Sequence, residues 1–492
     1  MAYELYDWQE AHASKLAFAL KAHGNAFDAS DMGTGKTIIA CKVARELGLL
    51  PIVICPKSVI PNWRNVIRDV YEYRHNEEQA LVYNYEKITR TDSNLSILSR
   101  GASKGSFRWR LDNRKCLLIF DEVHRCKGDK TLNGKLLYSA VDQQMKVLML
   151  SATACQDPRE MKSIGYALGL HGYKDFWTWC LKHGCRKGWF GGLDFKNPEP
   201  TLTHLHDEIF GWSGRGSRIR IKDLPEGSFP ENMIICESYQ VQTPKNAYIH
   251  DFNISRALAR VRHPHMFEYD PEEDEEENPL TQLLRLRQDA ELLKVPALVE
   301  LASQAYSEGK SPVIFVNFKE TLQRVLDLLS KTMVADDSIP DSIFTITGGQ
   351  SDEEREYNVN HFQKSKKSIM VAMIQAGGVG LSLHDEHGHS PRVSIISPGF
   401  SAVELKQALG RIYRAGSQSK ALQYVVFADG TVEEHVLNSV RKKLNNLDLL
   451  NDGDLQDPFL LEYENTAKLY ESISVPDYVF ETEDDSTTAH ST

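Results

Sequence analysis

The run Cys116-Leu117-Leu118-Ile119-Phe120 is apolar without a break and then stops at two carboxylates, Asp121 and Glu122. A second short apolar run, Ile52-Val53-Ile54-Cys55, behaves alike. Runs this short and this apolar predict strands buried on both faces, the environment of a parallel sheet covered by helices, so the expected class is α/β. In such sheets ligands collect at the carboxyl ends of the strands, which is where Asp121 and Glu122 stand. Upstream, Ser30-Asp31-Met32-Gly33-Thr34-Gly35-Lys36-Thr37 opens a helical stretch from Ile38 to Ala44. Two glycines, a lysine and a hydroxyl at a helix start form the pattern of a phosphate cradle.

A triphosphate needs backbone N–H donors, a cation on its terminal phosphates and an oxygen for magnesium. Gly33, Thr34 and Gly35 fit the loop, Lys36 the β- and γ-phosphates, and Thr37 with Asp121 the Mg²⁺. Glu122 then suits the orientation and deprotonation of an attacking water. The strict loop pattern has Gly six residues before the lysine, where this chain has Ser30. Near the other end, Gln407, Arg411 and Arg414 are spaced i, i+4 and i+7, so one helix would present all three from a single face. An arginine reaching the γ-phosphate from a neighbouring lobe neutralises transition-state charge. The plainer readings are a Gly-rich turn, an exposed acidic turn and a solvated basic helix.

In this order the motifs resemble the superfamily-two helicases, and among them the Swi/Snf-type DNA-dependent translocases. Leu5-Tyr6-Asp7-Trp8-Gln9 resembles the adenine-recognition segment, which implies Gln9 as base reader. Val53 to Trp63 is similar to the first strand-contact motif, and Ser151-Ala152-Thr153 to the motif coupling hydrolysis to nucleic-acid binding. Val313 to Phe318 resembles the first strand of the second lobe, Gln375 to Leu383 the nucleotide-coupling loop, and Gln407 to Gln418 the arginine-finger motif. The resemblance implies two RecA-like lobes, ATP and Mg²⁺ as ligands, and Lys57, Ser58, Gln375, Gly377 and Gly378 as contacts to nucleic-acid phosphates.

Departures bear on the subclass. Ser-Ala-Thr is more usual in strand-separating helicases, and Ala154 stands where the Swi/Snf pattern has Pro. Conversely, Leu283 to Gln288 and Arg218 to Pro225 are similar to segments between the lobes of Swi/Snf-type enzymes. Three functions follow: an ATPase that translocates on duplex DNA and remodels DNA or bound protein, a helicase that separates DNA or RNA strands, and an ATP-gated scaffold without turnover.

A chain of 492 residues exceeds one core, and we expect a first lobe at 1–170, an inserted helical and basic region with an acidic loop at 171–285, a second lobe at 286–450 and an acidic tail at 451–492. The net charge of −11 runs against nucleic-acid binding only on average, because eight acids fall in 268–277 and five in 477–485, leaving +2 elsewhere. Those acidic segments suit solvated chain or a basic protein partner. In the insertion, Phe176, Trp177, Trp179, Trp189, Phe190 and Trp212 alternate with Lys182, Arg186, Lys187, Arg215, Arg218 and Arg220, which fits nucleic-acid contact or the core of a small protrusion. Eight cysteines without a Cys-x-x-Cys pair, no leader-like amino terminus and no run of 18 apolar residues predict an intracellular protein that crosses no membrane, of a size also seen in viral motors. The expected partner is DNA, duplex favoured and single-stranded next, with RNA the alternative.

Overall fold

The apolar runs do become buried parallel strands. In the computed structural model, which describes residues 4–71, 81–90, 96–98, 107–188, 192–195, 198–212, 214–240, 279–335, 343–377, 381–429 and 431–452, two six-stranded sheets each carry one lobe. The first holds β1 (Asn25–Asp28), β2 (Leu50–Cys55), β3 (Val82–Asn84), β4 (Cys116–Asp121), β5 (Lys146–Leu150) and β6 (Gly216–Ser217) in the order β6-β1-β5-β4-β2-β3. Every pairing in it is parallel. The second holds β7 (Asn232–Gln240), β8 (Ser311–Val316), β9 (Ile343–Ile346), β10 (Ile369–Met373), β11 (Arg392–Ile396) and β12 (Ala421–Asp429) in the order β7-β12-β11-β8-β10-β9, again all parallel. Two parallel six-stranded sheets are the two RecA-like lobes that the sequence resemblance implies.

Six helices position the site: α1 (Asp7–His23), α2 (Lys36–Glu46), α3 (Ile60–Tyr71), α4 (Asp352–Lys364), α5 (Ala402–Leu409) and α6 (Val432–Asp452). Helix α2 follows β1 through the glycine loop, as a phosphate-binding βα unit requires. Helix α6 leaves β12, buries Val436, Val440, Leu444 and Leu447 in the core of the second lobe, and then buries Leu449 and Leu450 in the core of the first. One helix therefore belongs to both cores.

Residues of the expected insertion enter both sheets. Phe27 N–H donates to Arg215 O at 2.8 Å, Ala29 N–H to Ser217 O at 3.0 Å and Asp31 N–H to Ile219 O at 2.9 Å, so 215–219 runs beside β1 up to the glycine loop. Strand β7 forms the edge of the second sheet, and β8, expected to open that lobe, lies inside it. Of the aromatics, Trp179 is buried against Phe176 and His171, whereas Trp177 is exposed. Trp189, Phe190, both acidic runs and the chain after residue 452 lie outside the described residues, as does the side chain of Trp212. Among the described residues no helix is long and apolar enough to cross a membrane.

Candidate nucleotide site

The glycine loop is shaped by backbone that only glycine adopts freely. Gly33 has φ +79° and Gly35 φ +89°, both left-handed, the latter as the N-cap of α2. A Cβ on Gly35 would come within 2.5 Å of Gln9 Nε2, and one on Gly33 within 3.1 Å of the Cα and Cγ of Arg414. The first lobe thus closes on the loop from below and the second from above. Gln9 is buried and its amide is held at both ends: Nε2 donates to Thr34 O at 2.8 Å and Oε1 accepts from Tyr6 N–H at 3.0 Å. Its visible work is to brace the loop, with one N–H and one lone pair left for a base. Thr34 is buried and its hydroxyl donates to Asp31 O at 2.8 Å.

Lys36 donates to Ser30 O at 2.8 Å and Asp31 O at 3.0 Å. Burial lowers its pKa, and the carboxylates Asp28, Glu122, Asp121 and Asp31 pull the other way without restoring it. Thr37, next in α2, is half-buried beside it.

At the end of β4, Asp121 Oδ2 accepts from Trp63 Nε1 of α3 at 2.7 Å and Oδ1 from Glu122 N–H at 3.0 Å, while its carbonyl accepts from the Tyr85 hydroxyl at 2.8 Å. Burial, followed by the charge of Glu122, pushes its carboxyl up to about 7. Glu122 behaves oppositely. Burial would raise it, but His124, Lys36 and Arg411 outweigh burial and hold it below the usual carboxylate range. Glu122 also sits at φ +52°, a conformation uncommon for a residue with a Cβ and costing about 1–2 kcal/mol. His124 Nδ1 lies 3.3 Å from Glu122 Oε2 and 3.4 Å from Ser151 Oγ, so the Asp-Glu-Val-His segment touches the Ser-Ala-Thr segment through one imidazole.

From the second lobe come Gln407, Arg411 and Arg414, but not on one helix. Helix α5 ends at Leu409, with Gly410 as its C-cap. The expected i, i+4, i+7 face is corrected by the arginines themselves, which satisfy carbonyls that a continued helix would have used. Arg411 Nε donates to Gln407 O at 2.9 Å and Nη1 to Leu381 O at 3.0 Å. Arg414 Nε donates to Gly410 O at 3.1 Å, Nη2 to Leu381 O at 2.9 Å and Nη1 to Ser382 Oγ at 2.9 Å. Burial, joined for Arg411 by the neighbouring Arg414, lowers their pKa values to about 9 and about 10, so both remain cationic at neutral pH. Gln407 is buried.

The candidates for nucleic-acid contact are scattered. Lys57 is exposed and paired at 3.1 Å with Asp352 of α4, across the lobes. Ser58 is half-buried, Gln375 is exposed and hydrogen-bonded to Glu404, Gly377 ends a short helical turn, and Gly378 lies outside the described residues. Three bases of the insertion are engaged internally: Arg215 on Leu168 O at 2.5 Å, Arg220 on Asp223, and Arg218 buried between Asp31 and Asp452. Contacts within the protein occupy them: a carbonyl for Arg215, an exposed ion pair for Arg220 and a buried one for Arg218.

Sequence reading missed His12. It is buried, with Nε2 3.0 Å from Asp28 Oδ1 and 3.2 Å from Ser30 Oγ, and Nδ1 2.9 Å from Ser217 Oγ. Ser30 Oγ also accepts from Ile219 N–H at 3.0 Å, so the residue that replaces the usual glycine ties the loop to the segment just after β6. The departure at Ser30 was the available signal.

Residues 2–156 match the family of the type III restriction enzyme res subunit, and residues 293–416 match the helicase conserved C-terminal domain. A protein of Acanthamoeba polyphaga mimivirus, named as an ATP-dependent RNA helicase, is 32% identical over 482 residues, which cover 92% of this chain and 84% of the relative. The chain is a superfamily-two helicase. Being one, it is an ATP-hydrolysing motor that acts on nucleic acid. A CHD3-type chromatin-remodeling factor of Arabidopsis thaliana is 24% identical over 500 residues, covering 89% of this helicase but only 37% of the plant protein. The Sulfolobus solfataricus SWI2/SNF2 ATPase core in complex with dsDNA aligns over 97% of this chain and 98% of its own at 19% identity, with a TM-score of 0.35.

Proposed function

We propose that this helicase is a DNA-stimulated ATPase that translocates on duplex DNA to remodel DNA or protein–DNA complexes. The observation that carries the reading is the approach of Arg414 to Gly33, together with Arg411 facing Glu122, because a nucleotide on the loop would be gripped by both lobes at once. The left-handed cradle, the ammonium of Lys36 and the adjacent carboxylates fit a triphosphate with magnesium. Thr37 and Asp121 are the residues that would hold Mg²⁺, which would supply charge neutralisation on the phosphates. Lys36 neutralises the β- and γ-oxygens. Glu122, ionised, takes the proton of the attacking water as the bond from the γ-phosphorus to the bridging oxygen breaks, and Arg411 and Arg414 balance the charge that develops. Gln9 holds the loop in register. Loss of a group shared by both lobes lets the cleft open, and the cycle of closing and opening moves the lobes along the strand through phosphate contacts at Lys57, Ser58 and residues 375–378.

Strand separation is the second reading, favoured by Ser151-Ala152-Thr153 and by the name of the mimivirus relative. Steady-state ATP hydrolysis without polymer and with blunt duplex DNA, single-stranded DNA or single-stranded RNA, at one fixed low salt concentration, separates the two. Greatest stimulation by duplex DNA is expected. Stimulation mainly by single strands transfers the assignment to strand separation, and a rate unmoved by every polymer refutes both.

A further inference from the structure

Asp31, in the first half of the phosphate loop, is the end point of a buried chain of contacts that starts in the second lobe. The carbonyl of Asp31 accepts from both Thr34 Oγ1 and Lys36 Nζ, so its placement sets theirs. Its carboxylate accepts from Ile221 N–H at 2.9 Å and from Arg218 Nη2 at 2.7 Å. Arg218 also donates through Nη1 to Ala29 O at the end of β1, and through Nε to Asp452 Oδ1 at 2.6 Å. Asp452 is the last residue of α6, whose body is packed in the second lobe. Beside it, Asn451 Nδ2 donates at 3.0 Å to the carbonyl of Ala152, within Ser-Ala-Thr. The end of one helix therefore reaches two segments of the first lobe that handle nucleotide.

We propose that Arg218 is a positioning residue for the phosphate loop and that Asp452 holds it there, making α6 a second line of communication between the lobes, apart from the arginines in the cleft. A helix of 21 residues is about 30 Å long and transmits displacement of its second-lobe half to its tip. Arg218 can serve because its planar fork meets Asp31, Asp452 and Ala29 O together, which a lysine cannot. Burial opposes its charge, but Asp31 and Asp452 more than compensate, so it stays protonated throughout the working range. The inference rests on the proposed polymer-stimulated ATPase, because that stimulation is what the line would carry.

The test uses Asp452→Asn and Arg218→Lys in the full chain, with kcat and KM for ATP measured with and without duplex DNA. Asp452→Asn leaves the Arg218–Asp31 pair intact; its basal kcat should stay within about twofold while the ratio of stimulated to basal rate falls about fivefold or more. Arg218→Lys should raise KM for ATP about tenfold without an equal loss of kcat. A merely structural defect would lower Tm and depress basal and stimulated rates by one factor; an unchanged ratio in Asp452→Asn overturns the inference. Should no polymer stimulate the wild type, the proposed function has failed, and the polymer-free KM of Arg218→Lys still decides: a wild-type value overturns the positioning role.

Discussion

Replacing Gly35 by alanine tests whether Gln9 is the brace of the loop. Two costs add. A residue with a Cβ at φ +89° costs about 1–2 kcal/mol in the left-handed region. The new methyl would sit 2.5 Å from Gln9 Nε2, closer than any real contact, so the amide must leave its place. Leaving breaks its bond to Thr34 O and strands buried polar groups, a further cost of about 1–3 kcal/mol. Gly35→Ala should therefore destabilise the first lobe by about 2–5 kcal/mol, the sum of those two ranges. Gln9→Ala alone should cost about 1–3 kcal/mol for the same lost bonds. The double variant has no amide to displace, so only the backbone cost is added to that of Gln9→Ala. Denaturant unfolding followed by tryptophan fluorescence on all four proteins gives the cycle, with an expected coupling of about 1–3 kcal/mol in favour of the double variant. Additivity within about 0.5 kcal/mol would refute the steric argument and free Gln9 from the loop.

Lys36→Ala should abolish ATP turnover while DNA affinity, measured by fluorescence anisotropy, stays nearly intact; loss of both would mean that the loop also forms the polymer track. Lys57→Ala should change stability by no more than about 1 kcal/mol, since its pair with Asp352 is exposed, yet lower the slope of log affinity against log salt by about 1; an unaltered slope removes Lys57 from the phosphate contacts. The imidazole of His384 is held down to about 4, chiefly by burial and then by Arg414 and Arg392. Its folded pKa being depressed below an unfolded value of about 6.5, the stability it contributes is complete above pH 6.5 and lost as pH falls toward 4. Unfolding of His384→Asn across that window should show a shallower acid limb, and an identical limb would assign the acid sensitivity elsewhere.

What can be read along the chain is what local patterning controls. Cys116 to Phe120 is apolar because β4 is covered on both faces, and the chain can turn at Gly33 and Gly35 because neither has a Cβ; both facts are visible in a linear string. The spacing of Gln407, Arg411 and Arg414 is also visible, but the string does not show that the arginines would take up the last carbonyls of α5 and end the helix after Leu409. Nor does Arg215-Gly216-Ser217-Arg218 read as strand, since its stability comes from pairing with β1 and from carboxylates distant in sequence. A row of arginines looks the same whether it faces phosphate or is buried against Asp31 and Asp452. Only the fold distinguishes them.

The seat of α6 sets how this protein can be cut and recombined. A boundary drawn between the sheets would sever a helix whose final leucines complete the other lobe's interior. Expressed alone, the first lobe would expose the apolar socket vacated by Leu449 and Leu450; chimeras that exchange second lobes would have to carry the matching tip, or redesign the socket, to remain soluble. The lobes are two in architecture, but for inheritance and for engineering they form one indivisible unit.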